Sequence, residues 1–117
     1  MTLIAAFKCG PHAVLCADSQ ETCGDYKVSV AKIAPQRIGA FDVAYGGSGI
    51  GPLVDWLGDR VEAWLSQSLA CTSEALRLEL EALFTAFYQD PAVQAYPVSD
   101  PGDRTVSGVI CVRVIQL

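Results

Sequence analysis

Histidine is almost absent from this chain: His12 is the only one among 117 residues. Basic residues are scarce too, with eight Lys and Arg against thirteen Asp and Glu, giving a formal charge of −5. A protein that binds nucleic acid must neutralise several phosphates with clustered cations, and no cluster exists here, so nucleic acid is excluded as an expected partner. Five cysteines occur, at 9, 16, 23, 71 and 111, but none forms a CxxC pair. A zinc site needs four nitrogen or sulfur ligands, usually in close pairs, and this pattern does not supply them. The expected state of these thiols is small buried side chains in a reducing cytoplasm. A Walker lysine is missing after the glycine-rich Gly46-Gly47-Ser48-Gly49, so that run is not a phosphate loop. Neither a basic leader nor a membrane-length apolar run is found, so the reading is of a cytoplasmic protein without a membrane span. Internal repeats and low-complexity tracts are lacking as well.

What the chain has in quantity is apolar surface. Hydrophobic residues make up 51% of it, enough for a core in one domain spanning residues 1–117 and enough to expect part of the surface to be covered by a partner. The opening half reads as four strands. Leu3–Lys8 and Ala13–Ala17 flank the turn Cys9-Gly10-Pro11, which predicts a β-hairpin. Their continuous hydrophobicity predicts that both faces are covered. Asp18–Asp25 reads as a polar loop, Tyr26–Ala34 as an alternating strand stopped by Pro35, and Arg37–Tyr45 as a further strand closed by the glycine run. The period then changes. Leu53, Trp56, Leu57, Val61, Trp64 and Leu65 fall at helical spacing behind Pro52. Thr72 is the expected N-cap of a second helix carrying Leu76, Leu80, Leu83, Phe84 and Phe87 and ended by Pro91. Residues 91–103 read as a loop, and Val106–Ile115 as a last strand. Strands, then helices, then a return to strand is an α+β order.

Few residues offer chemistry. His12 lies in a turn region and cannot anchor a histidine-based triad, so a hydrolase built from this chain needs another base. Thr2 provides one if Met1 is removed: its own α-amine, with a reference pKa of about 7.7–8.0, can take the proton of its own hydroxyl. Other residues carry plain alternatives. Asp18 and Ser19 serve equally as turn formers at a strand end, Lys32 as a solvated charge, and Gly46–Gly49 as a strand-to-helix turn.

Order and spacing go further. Thr2-Leu3-Ile4-Ala5-Ala6-Phe7-Lys8, Ala17-Asp18-Ser19-Gln20-Glu21-Thr22-Cys23-Gly24, Val30-Ala31-Lys32-Ile33 and Ala44-Tyr45-Gly46-Gly47-Ser48-Gly49 follow one another. This succession resembles the proteasome β-subunit family of N-terminal nucleophile threonine hydrolases, which includes the bacterial protease that works with an ATP-driven unfoldase. The sixteen-residue step from Thr2 to Asp18 matches the family interval. Lys32 and Gly46 both fall two residues early, as a single two-residue deletion would produce.

The resemblance implies a role for each position. Thr2 would be the nucleophile, and Lys32 would favour its alkoxide-like form. Asp18 would hold the Lys32 ammonium, the Gly46 N–H would donate to the oxyanion, and Thr22 would help bind a peptide by main-chain pairing. No cofactor or metal is implied. The implied architecture is a sandwich of two sheets between helix layers, here incomplete: an N-terminal antiparallel sheet, two helices, and a Val106–Ile115 strand opening the second sheet with no obvious neighbour. The implied partners are a peptide or unfolded protein substrate, further copies in a ring, and an ATP-dependent unfoldase. Because the family domain normally continues well past this length, three expectations stand together: a fragment, a compact variant completed by oligomerisation, or an inactive assembly subunit. A non-peptidase amidohydrolase of the same nucleophile class is a further alternative.

Overall fold

A computed structural model of the chain describes residues 3–23, 26–29, 33–100 and 104–114. It is a mixed α+β structure that divides into two compact units, one holding all the strands and the other running from Gly49 to Val106.

In the strand unit, β1 (Ile4–Cys9) and β2 (His12–Ala17) form the hairpin that the Gly10-Pro11 turn predicts. The register runs from Ile4↔Ala17 to Cys9↔His12. β3 (Gln20–Cys23) pairs with β4 (Tyr26–Ser29) in a second hairpin. Part of the segment expected to be a polar loop is therefore a strand, because the ladder is made by backbone N–H and C=O groups that every residue other than proline carries.

β5 (Ala34–Ile38), β6 (Phe41–Ser48) and β7 (Ser107–Val114) make a three-stranded antiparallel sheet with β6 in the centre. Three sequence expectations are corrected here. Pro35 does not stop a strand; it lies inside β5, an edge strand, where a residue without an N–H is tolerated. Residues 37–45 are not one strand, since Gly39 takes φ 57° and turns the chain back so that Ile38 faces Phe41. That left-handed conformation is open to glycine at little cost, and it makes the tight hairpin. Finally, β7 has a neighbour and does not open another sheet: it pairs with β6 over its whole length, from Phe41↔Val114 to Ser48↔Ser107.

Alternation sorts this sheet into two faces. One carries Ile38, Phe41 and Val43, all buried. The other carries Arg37, Asp42, Ala44, Cys111 and Arg113. The β1–β2 hairpin belongs to the same unit, with β1 lying against β7 and β2 against β6. Its strands are not covered on both faces, contrary to their continuous hydrophobicity. Leu3, Phe7 and Val14 are exposed, Phe7 sitting directly across from Val14. Cys9 and Cys16 lie two residues along from Phe7 and Val14, on the same face, and are exposed free thiols, as is Cys71, while Cys111 is half-buried. The expectation of buried thiols fails because the hairpin face that bears two of them is open.

The helical unit follows the predicted period closely. α1 (Gly51–Gln67) has Pro52 in its first turn and buries Leu53, Leu57, Val61 and Leu65, four positions one turn apart. α2 (Ser73–Gln89) starts where Thr72 accepts a hydrogen bond from the Ala75 N–H at 3.1 Å, with Glu74 in the first turn. Of its predicted stripe, Phe87 is buried completely and Leu76, Leu80, Leu83 and Phe84 are half-buried.

The stretch after Pro91 is not all loop. Asp90 caps a single helical turn, α3 (Pro91–Gln94), by accepting from the Ala92 N–H at 2.8 Å. That bond and its ion pair with Arg60 hold the Asp90 carboxyl below its ordinary range. Arg60 also lies over the Phe87 ring, 5.2 Å from its centre, so one α1 side chain clamps the α2–α3 corner. The Tyr88 hydroxyl accepts from the Val106 N–H at 2.8 Å and donates to the Val106 carbonyl at 3.1 Å, tying the return segment to α2.

The entry to α1 depends on one glycine. Gly49 has φ 143°, and a Cβ there would stand 2.9 Å from the Thr105 carbonyl oxygen. Gly49→Ala is therefore expected to cost about 1–3 kcal/mol, from backbone strain and the close approach together. Thermal denaturation followed by circular dichroism checks this; an unchanged melting temperature would mean that the turn relaxes freely.

Candidate functional site

The open end of the β1–β2 hairpin is set by Asp18. Continuing the register one step past Ile4↔Ala17, Asp18 and Leu3 face each other and bond twice. The Asp18 N–H donates to the Leu3 carbonyl at 3.0 Å, and the Leu3 N–H donates to Asp18 Oδ1 at 2.8 Å. The first bond is ordinary ladder pairing. The second draws a carboxylate onto the backbone of the residue that follows Thr2 in the chain, and a charged acceptor makes it stronger than a neutral bond. Asp18 is the first polar residue after the apolar run of β2.

The other sequence candidates stand as follows. Thr2 and Lys32 lie outside the described residues. Thr22 is in β3, opposite Lys27 in β4, rather than in a loop. Gly46 is in the second half of β6, buried, and opposite Val109. The strand runs on through Gly47 and Ser48, so the turn into α1 starts at Gly49 and not at Gly46. The chain passes closely here: a Cβ on Gly108 would lie 3.2 Å from the Gly46 carbonyl oxygen. Gly47 opposite Gly108 leaves that pair of β6 and β7 without side chains on its face of the sheet.

A polar cluster missed by the sequence reading lies toward the opposite end of the sheet. Asp42 on β6 sits between Arg37 on β5 and Arg113 on β7. Arg37 Nε donates to Oδ1 at 3.3 Å, and Arg113 donates to Oδ2 through Nε at 3.2 Å and again through its terminal nitrogen. The hydrogen bond from Arg113, then that from Arg37, holds the Asp42 carboxyl below its ordinary range, so it is ionised at neutral pH. The Arg37–Asp42 half could be inferred from a tight hairpin at Gly39. Arg113 could not, because it reaches Asp42 only once β7 is known to pair with β6.

Among the described residues there is no group of three or more His, Cys, Asp or Glu side chains able to hold a metal ion, and no helix long and apolar enough to cross a membrane. No family model, curated protein or solved structure matches the chain.

Proposed function

We propose that this chain is an N-terminal threonine hydrolase, a peptidase subunit of a proteasome-like ring that degrades unfolded protein in the cytoplasm, supplied by an ATP-dependent unfoldase. The observation that carries the reading is the Asp18 carboxylate on the Leu3 N–H, one residue from the nucleophile. In this scheme removal of Met1 frees the Thr2 amine, which takes the hydroxyl proton as the oxygen attacks the scissile carbonyl. Lys32, steadied by Asp18, lowers the cost of the developing negative charge on the nucleophile. The Gly46 N–H meets the oxyanion of the tetrahedral intermediate, and water later releases the acyl group from the Thr2 ester. Thr22 helps align the peptide as an added strand. The finer architecture proposed with it is the two-sheet, four-layer sandwich of that family.

Intact-mass and peptide mass spectrometry after exposure to a peptide epoxyketone or vinyl sulfone tests this. The expected result is loss of Met1 and one adduct on Thr2, absent in Thr2→Ala. Retention of Met1 in every molecule would falsify catalysis by this chain, since amine and hydroxyl would no longer share a terminal residue.

A second reading is favoured by the exposed Leu3, Phe7 and Val14 on the hairpin: a non-catalytic assembly subunit that keeps this fold start for packing. Ring-sized particles in light scattering without probe labelling would select it. Turnover of a small amide with none of peptides would instead select an amidohydrolase of the same nucleophile class.

A further inference from the structure

The turn end of the β1–β2 hairpin and the polar face of the three-stranded sheet border an open groove of about 780 Å³, inside the strand unit. That volume is in the range of small-molecule sites. Its walls combine apolar bodies with two cationic side chains. Ala6, Ala13, Pro11 and Pro35 supply the apolar part, Ala6 and Ala13 sharing the hairpin face of Lys8, and Lys8 and Arg113 supply the positive charge. In a chain of net charge −5 such a pairing is unusual. Asp42 is the one carboxylate on the wall, and both Arg37 and Arg113 already engage it. Lys8, by contrast, enters no ion pair among the described residues.

We propose that this groove binds a small organic carboxylate, with its apolar body against Ala6, Pro11 and Pro35 and its carboxylate between Lys8 and Arg113. The charge balance favours a monoanion. A more highly charged ligand gains from the same cations but meets stronger repulsion from Asp42, which a single carboxylate tolerates by sharing the Arg113 fork. The apolar walls add affinity in proportion to the area they cover. The site lies at the closed end of the hairpin, whereas the Leu3–Asp18 pair lies at its open end, so this proposal stands or falls independently of the hydrolase reading.

Sodium benzoate is the probe, titrated into the isotope-labelled full chain and followed by two-dimensional NMR. Saturable shifts are expected at groove amides such as Ala13, Ala44 and Cys111, and not at those of the helical unit. Benzamide, the neutral isostere, should bind at least ten-fold more weakly. Lys8→Glu should weaken benzoate about ten-fold, as expected from losing a charged hydrogen bond. Asp42→Asn should tighten it several-fold by releasing Arg113 and removing the repulsion, an effect that a purely structural role for Asp42 would not produce. Lys27→Glu, on the separate β3–β4 hairpin, should leave it unchanged. Benzamide binding as tightly as benzoate, shifts that never saturate, equal weakening by Lys27→Glu, or no gain in a folded Asp42→Asn variant would each overturn the proposal.

Discussion

Replacing Phe87 with alanine is expected to lower the unfolding free energy by about 3–5 kcal/mol, the usual cost of truncating a fully enclosed phenylalanine. The ring has no exposed surface and is the one completely buried side chain of α2. Removing it takes away apolar area and leaves a void that packed neighbours fill only in part. The Arg60 guanidinium would lose the face it lies over, and the edge-on contact with Tyr88, at 5.3 Å between ring centres, would go too. Since Arg60 also holds Asp90, the corner between α2 and α3 should loosen with the core. Urea denaturation with linear extrapolation measures the loss, and a fall in melting temperature of about 10 °C or more should accompany it. A loss under about 1 kcal/mol would show that α2 is held by something other than this side chain.

Asp18→Asn is expected to reduce labelling of Thr2 by an active-site probe about a hundred-fold or more, the scale typical of positioned acid–base groups, while leaving the hairpin end closed. Asparagine keeps an oxygen at the position that accepts the Leu3 N–H, so the 2.8 Å bond survives in neutral form. What it cannot supply is the negative charge that the proposed mechanism assigns to steadying Lys32. Hydrogen exchange at the Leu3 amide reports the first property and the labelling rate the second. Asp18→Ala should speed exchange at Leu3 as well as slow labelling, with little loss of global stability because Leu3 is 69% exposed and water replaces the lost acceptor. A folded Asp18→Asn variant that labels as fast as the parent would reduce Asp18 to a clamp for the hairpin.

The helices were legible because their evidence is local. Leu53, Leu57, Val61 and Leu65 return every four residues, and Thr72 with Glu74 marks a helix start by hydrogen-bonding chemistry contained within one turn. The first hairpin was equally plain from Gly10-Pro11 between two apolar runs. Elsewhere local signals misled. Pro35 reads as a stop only if the strand around it is central, and position within a sheet is not a local property. Gly39 reads as an ordinary residue in a strand unless its left-handed conformation is known. Continuous hydrophobicity in β1 and β2 implied two covered faces, yet Phe7 and Val14 are exposed, because composition records what a strand could bury and not what lies over it. Of the candidate site, the Asp18 position was legible from spacing, and its bond to the backbone beside Thr2 was not.

Period, capping residues and turn chemistry thus determined the two long helices, the first hairpin and the α+β order, since each arises from neighbours a few residues apart. The tertiary structure alone decided that β7 returns to β6, that Arg113 meets Asp42 across a separation of 71 residues, and that a cationic groove forms at the closed end of the hairpin. Such long-range pairings depend on backbone hydrogen bonds and charge contacts available to many strands alike; which of them forms is settled by the burial and closure of the whole chain, beyond what any short window of residues specifies.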